Sequence, residues 1–573
     1  MALGQEPADL VLTACRVLNV YTGQLLPAGQ VGVAGEYIAY VGGEERPLGP
    51  NTKVIDGQGQ ILVPGFIDAH AHLDEMVASP PGYLEAVVRG GTTTLVTDAM
   101  EVANAMGADG VNWFLEAVRD QPTRVFLLVP TMVPGNPRLL PGRRLGPAVV
   151  AALLDLAEVV GLGEVYWTRV VADDPELDSL FALAREKRKV IEGHGAGARG
   201  GGLAALAVSG AGACHEAIKV EEVMERLSCG LFTILREGSI RRDLEALAPL
   251  ARESMDFRHL GLGSDGIDPA DLLAQGAMEY VVQKAIDLGF PPVTAIQMAT
   301  INNATHFGLD HVLGAVAPGR YADLVLLPRL EEIRATCVIK GGTPVAAPGY
   351  APVRARPYLF PRAAREKLDF RWRLAPADLC LKASGTGEVT VQVVRLLDDM
   401  VTAWERVSLP VRHGLVRADG AVGLNLAFAR STLEPQEYTV ALVRGWQLQA
   451  GACASSATWD APHVVGVGAS AAELAFAANR VAELGGGVAV VRGQEVLAEL
   501  ALPVGGIISE EPLETVAAKM EAINRAIRGL GYPHSNPFLA LRVMGFVGVP
   551  RLRLTARGLV DTKNQTLVPV ITT

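Results

Sequence analysis

The chain has 573 residues, too many for one hydrophobic core, so two or three folded units are expected. Hydrophobic residues make up 49% and charged residues 20%, and the net charge of −11 comes without any block of Lys and Arg, which argues against nucleic-acid and anionic-membrane partners. The six cysteines are scattered with no CxxC pair, the opening MALGQEPADLVLTACRVLNV lacks a basic stretch before an apolar core, and no uncharged apolar run approaches the ~20 residues that span a bilayer; a soluble, reduced, cytoplasmic protein is expected.

Residues 8–64 read as short strands and tight turns, with alternating Val, Leu, Ile and Tyr punctuated by Gly and Pro. From about 61 to 305 the pattern changes to apolar runs separated by stretches of helical period. The runs are ILVPGFID, TTTLVTD, TRVFLLVP, GEVYWTRVV, RKVIEGH, GAGACH, GLFTIL and HLGLGSD. Continuous apolar strands alternating with helices indicate a parallel sheet closed into a barrel. Short strands return in GAVAPGRYADLVLLPRL and ATCVIKGGTPV, which are expected to complete the β unit begun at the N-terminus. The predicted architecture is α/β: a (β/α)₈ barrel of the TIM type over 65–305, a small composite β-sandwich from 1–64 plus 306–345, a Pro- and Arg-rich linker over 346–373, and a C-terminal α/β domain over 374–573. In the last domain EVTVQVVRLL, HVVGVG and GGVAVVRG read as strands, and SAAELAFAANRVAEL and ETVAAKMEAINRAIRGL as helices.

The sharpest local signal is PGFIDAHAHLDE, residues 64–75. His70 and His72 follow an apolar strand at spacing i, i+2, so both imidazoles can converge on one ion. Other ligand types end later strands: Glu164 in GLGEVYW, His194 in KVIEGH, His215 in GAGACHE and Asp265 in HLGLGSD. Structural histidines have no reason to collect at strand ends within one barrel-sized segment, which is where such folds keep their active sites. Imidazole and carboxylate without thiolate suit Zn²⁺, Mn²⁺ or Fe²⁺.

These motifs resemble the amidohydrolase superfamily and, within it, the bacterial adenine deaminase family over nearly the full length. GGTTTLVTDAMEVANAMG, LVPTMVPGNP, HEAIKVEEVMERLSCGLFTILREGS and, in the last domain, GACASSATWDAPHVVGVG, LGGGVAVV and LPVGGIIS carry the resemblance. It implies two divalent metal ions, Mn²⁺ or Fe²⁺ favoured and Zn²⁺ possible, with His70 and His72 on the more buried ion, His194 and His215 on the second, and Glu164 between them. Asp265 would bind the first ion and take the proton from the attacking water, whose pKa two cations lower toward neutrality. The implied reaction is hydrolysis of adenine, or a similar aminopurine, to hypoxanthine and ammonia, in a homo-oligomer.

Several polar positions depart from the family pattern. Asp74 replaces Glu in HxHxESS, Met100 stands where DPHE has His, Cys214 replaces Asp in SDHE and Gly266 replaces Asp in TDD. In the last domain WDAPH stands for HDSHN, keeping Asp460 but placing Trp459, Pro462 and His463 at altered positions. A kept ligand set facing a changed surround favours a less polar or differently shaped substrate, because an unpaired buried polar group costs about 1–3 kcal/mol. Hydrolysis of a cyclic amide, imide or hydantoin-like ring is therefore one rival, and a non-catalytic purine-binding relative another. Glu216 and Glu237 stand beside Asp265 as candidate catalytic carboxylates. Glu216 is placed to pass a proton to a leaving nitrogen or to open a helix, and Arg236 to bind substrate or to pair with Glu237. Ser239, Met100, Asp74, Trp459 and Asp460 complete the candidate substrate contacts, with Trp459 a cavity wall or a core residue.

Overall fold

A computed structural model describes residues 1–27, 29–42, 46–172, 174–418 and 422–572. Its centre is a sheet of eight parallel strands in sequential order: β1 (Phe66–Ala71), β2 (Thr92–Asp98), β3 (Arg124–Val129), β4 (Val159–Tyr166), β5 (Val190–His194), β6 (Ala213–Cys214), β7 (Phe232–Arg236) and β8 (Leu260–Gly263). Most of these strands are buried along their length, which is why their sequences run apolar instead of alternating. The seam between β1 and β8 is joined by side chains. Asn303 Nδ2 donates to Ile67 O at 2.8 Å and to Leu262 O at 3.0 Å, while Ser264 donates from its backbone N–H and hydroxyl to Asp68 at 2.9 and 2.6 Å.

The run expected as the first barrel strand, ILVPGFID, splits at Gly65. Ile61–Pro64 joins a six-stranded sheet, antiparallel to Leu324–Leu327 and parallel to Arg16–Asn19, and β1 starts at Phe66. A Cβ at Gly65 would lie 2.1 Å from Thr93 Oγ1, so only glycine lets the chain pass from one sheet to the other here. The fourth run also differs: β4 begins at Val159, and Trp167–Val170 form a helical turn instead of continuing the strand.

The six-stranded sheet takes strands from both sides of the barrel, and a four-stranded sheet (Tyr37–Val41, Gln30–Ala34, Leu10–Thr13, Lys53–Asp56) faces it. Leu10, Leu12, Val31, Leu62, Leu324 and Ile339 form their shared core. Residues 347–361 have no helix or strand and lie on the barrel flank, where Arg356 Nη2 donates to Arg119 O at 2.9 Å.

The last part of the chain is built on a ten-stranded, mostly antiparallel sheet with the helices Ala471–Glu483 and Leu513–Gly529. The three strands read from sequence are there, and the sheet adds Thr402–Arg412, Leu424–Ser431 and Tyr438–Arg444, whose half-exposed alternation makes a weaker signal. One continuous hydrophobic cluster contains Met100, Met106 and Tyr166 of the barrel and Trp459, Phe546 and Val547 of this region. None of the described helices is long and apolar enough to cross a membrane.

His463, at the head of strand His463–Gly468, is fully buried with neither ring nitrogen hydrogen-bonded. Burial first, and the charge of Arg557 second, push its pKa down to about 3. The folded chain therefore keeps this imidazole neutral while the unfolded chain protonates near pH 6.5. The stability tied to it is complete above that pH and is lost as pH falls toward 3, by up to about 1.4 kcal/mol per pH unit. In His463→Leu, the decline of Tm between pH 6.5 and 4, followed by circular dichroism, is expected to be shallower than in the wild type.

Candidate metal centre

Six buried side chains meet at the C-terminal ends of the barrel strands: His70 from β1, Glu164 from β4, His194 from β5, and His72, His215 and Asp265 just after β1, β6 and β8. Asp265 Oδ1 lies 3.4 Å from His70 Nε2 and 3.6 Å from His72 Nε2. Glu164 sits between two sets of imidazoles, with Oε1 3.2 Å from His72 Nε2 and Oε2 2.5 Å from His194 Nδ1 and 3.3 Å from His215 Nε2. His70 and His215 stack with ring centroids 3.8 Å apart. The ligand-type atoms fall into three overlapping groups: His70, His72 and Asp265; His70, Glu164 and His215; His194, His215 and Glu216.

Both nitrogens of His70, and Nδ1 of His72, Nε2 of His194 and Nδ1 of His215, are buried without a hydrogen-bond partner. Buried polar atoms are normally paired, and imidazoles collected around carboxylates with free ring nitrogens suit divalent cations. The donor set therefore fits the metal pair that the sequence implies, and Glu216 joins the group on the second side.

The surrounding backbone fixes these groups. Asp265 has φ of 61°, in the left-handed region, and its N–H donates to His70 O at 2.8 Å. That strain turns one carboxylate oxygen toward the histidines and the other toward Arg236 Nη1, 2.9 Å away. Gly163 precedes the Glu164 carboxylate for a steric reason: a Cβ there would lie 1.8 Å from Asp98 Oδ2, which accepts the Glu164 N–H at 3.0 Å. Arg236 is buried among three carboxylates, bonded to Glu216, to Asp265 and to Asp243, the last at 3.1 Å from Nη2. Burial alone would raise the pKa of Glu216, but Arg236 foremost, then His194 and His215, outweigh it and hold it at about 2. Asp265 is likewise driven well below the usual carboxylate range, burial being overcome mainly by Arg236 and His70. At Glu164 burial is overcome by His194, with His215 and His72 adding hydrogen bonds.

Five of the six, all but His70, line a cavity of about 230 Å³. Its polar side carries Glu75, Glu216, Arg236 and the histidines; its apolar side carries Met100 and Ile240 from the barrel and Met400, Val401, Trp459, Phe546, Val549 and Pro550 from the last part of the chain. The C-terminal region thus roofs the barrel mouth. Phe546 stands edge-on to His194 and Trp459, with centroids 6.0 and 5.3 Å away.

Of the expected substrate contacts, Arg236, Met100 and Trp459 line this cavity, and three others lie elsewhere. Asp74 caps the helix Met100–Val118, its Oδ2 accepting the N–H groups of Glu101 and Val102 at 2.9 and 3.0 Å. Ser239 donates to Asp271 Oδ2 at 2.7 Å and accepts the Asp268 N–H at 2.8 Å. Asp460 sits behind the wall, accepting from Tyr166 Oη and from the Val547 N–H. Glu237, expected as catalytic, takes hydrogen bonds from Lys284 Nζ at 2.7 Å and Tyr280 Oη at 3.3 Å, away from the cavity; the side chain that follows a strand-end arginine points outward by alternation.

Glu75, Glu222 and Arg241 are polar cavity residues that the sequence did not single out. The family pattern HxHxESS points to position 74, but Leu73–Glu75 form a 3₁₀ turn that brings Glu75 to the cavity, with Oε1 3.6 Å from His72 Nδ1. Nothing local in the sequence marks Phe546 or Met400, since their place in the wall depends on how the C-terminal region docks.

Barrel, strand-end ligands and cavity together define a metal-dependent hydrolase. Residues 61–345 match the amidohydrolase family, and residues 399–566 match the adenine deaminase C-terminal domain. The chain is similar to the adenine deaminase of Moorella thermoacetica, with 36% identity covering 100% of this chain and 97% of that one. It is also 34% identical to the adenine deaminase of Desulforamulus reducens, over 100% and 97% of the two chains. Among solved structures, dihydropyrimidinase from Brevibacillus agri NCHU1002 matches 59% of this chain and 95% of its own, at a TM-score of 0.47 and 15% identity. The chain belongs to the adenine deaminase family of amidohydrolases.

Proposed function

We propose that this enzyme hydrolyses adenine, or a closely similar aminopurine, to hypoxanthine and ammonia at the strand-end cluster. The observation that carries the reading is the convergence of six metal-type ligands at the floor of one cavity in a chain whose full-length relatives are adenine deaminases. His70, His72 and Asp265 would hold one cation and His194 and His215 the other, with Glu164 shared; Mn²⁺ or Fe²⁺ is the proposed pair, and Zn²⁺ suits the same donors. Bound there, such cations supply a water acidic enough to lose its proton near neutral pH.

The chain's own residues account for the rest. Asp265 is positioned to take the proton of the attacking water, and its hydrogen bond to Arg236 keeps the carboxylate ionised and aimed. Glu216 lies 3.4 Å from His215 Nε2 at the cavity edge, placed to carry a proton to the purine ring or to the departing amine. Met100, Trp459 and Phe546 supply flat or pliable apolar surface for a planar ring and keep bulk water out.

Ammonia release tests this directly. Purified protein loaded with Mn²⁺ is expected to yield one ammonia and one hypoxanthine per adenine consumed. Cyclic amides and imides are expected to yield no ammonia, because ring opening keeps every ring nitrogen in the single product. If adenine yields no ammonia while a cyclic imide is opened, the substrate assignment is overturned and the hydrolase centre stands.

A further inference from the structure

Arg226 lies on the helix Val220–Ser228, outside the substrate cavity, and is 1% exposed. Its Nη2 donates to Gly195 O at 2.8 Å, its Nε to Cys214 Sγ at 3.2 Å, and its Nη1 to Glu222 O of its own helix at 3.1 Å. None of these partners is a carboxylate, so a buried guanidinium is held here by two carbonyls and a thiol. Two of the partners have a particular position in the chain. Gly195 directly follows His194, and Cys214 directly precedes His215.

β5 and β6 share only two registered residue pairs, Glu192 with Ala213 and Gly193 with Cys214. The ladder therefore stops just short of both histidines; β4 holds His194 through its pairing with Tyr166, and the spacing of His215 from it depends on what fastens the ends of β5 and β6 together. Gly195 is shaped for this contact: a Cβ there would lie 3.0 Å from Cys214 Sγ and 3.5 Å from Arg226 Nη2. A guanidinium suits the task because its planar fork reaches two acceptors in a fixed geometry, which a lysine ammonium does not.

We infer that Arg226 is a positioning residue for the second cation: by clamping Gly195 to Cys214 it sets the spacing of His194 and His215, and the absence of a carboxylate opposite it leaves that clamp weaker than it can be made. The inference rests on the reading of these two histidines as ligands. Groups that orient metal ligands change metal affinity by about 10–100-fold when removed. The first cation group, His70, His72 and Asp265, does not touch Arg226 and is expected to be unaffected.

The test uses the full-length protein, stripped with chelator and titrated with Mn²⁺ alone, with bound metal counted by elemental analysis. Wild type is expected to take up two equivalents. Arg226→Met is expected to take up the first equivalent with unchanged affinity and the second about 10–100-fold more weakly, with Arg226→Lys in between. Cys214→Asp, which sets a carboxylate against the guanidinium, is expected to release its second Mn²⁺ to chelator more slowly than wild type, and Cys214→Ala faster. Two equivalents bound by Arg226→Met with wild-type affinity overturn the inference. Should that variant fail to fold, equal release rates in wild type, Cys214→Asp and Cys214→Ala overturn it instead. A wild-type protein that never holds a second equivalent removes the ligand reading itself, and the clamp with it.

Discussion

Glu164→Ala is expected to lower kcat/KM for adenine by 10³-fold or more and to leave the protein with at most one tightly bound divalent ion. Glu164 touches three of the four histidines, with one oxygen beside His72 and the other beside His194 and His215. Among the described residues no other carboxylate faces both sides of the cluster in this way. Removing it takes away the shared anion and would leave two divalent cations to repel one another across the site. Loss of several kcal/mol of charge stabilisation corresponds to three or more powers of ten at ~1.4 kcal/mol each. Steady-state ammonia release and metal analysis on one preparation check both parts. A variant that keeps two ions and a tenth of the activity would show that Glu164 does not join the two halves of the site.

Arg236→Met is expected to damage stability and turnover together. Its guanidinium is the cation for Glu216, Asp265 and Asp243, the two aspartates buried and Glu216 nearly so. Removing one partner from a buried ion cluster costs about 3–5 kcal/mol, because the remaining charges stay out of water. The fall in Tm should be several degrees, and kcat should fall with it as Asp265 loses its orientation. The outcome separates two roles for Arg236 that the sequence leaves open. A residue that only grips substrate would raise KM at unchanged Tm, whereas a residue that holds the site's carboxylates lowers Tm and kcat. Arg236→Lys, which keeps the charge but not the fork, is expected to recover Tm more than kcat.

The eight barrel strands were legible because buried parallel strands are written as unbroken apolar runs, and the ligands were legible because they sit where those runs end. His194 and Asp265 close such runs in the sequence itself. Errors arose where local pattern and tertiary context diverge. ILVPGFID is one apolar run in sequence and two strands in space, since Gly65 allows a sharp transfer between sheets. Asp74, expected at the substrate from the family pattern, caps a helix instead, and a short 3₁₀ turn brings Glu75 to the cavity. Phe546 and Met400 belong to a wall formed by docking of distant segments, and no window of neighbouring residues encodes that contact.

The six-stranded sheet has a consequence for how the molecule is made. Ile61–Pro64 lies between Arg16–Asn19, already synthesised, and Leu324–Leu327, which leaves the ribosome only after the whole barrel has been translated. One side of that early strand must wait, with its backbone groups bonded to solvent or to transient partners, until the late strand arrives. The same delay applies to the barrel seam, whose fastener Asn303 is also encoded near the end of the barrel. Synthesis stalled before this point should leave a nascent chain with an open seam and an unpaired strand edge, a form prone to aggregate and suited to recognition by chaperones.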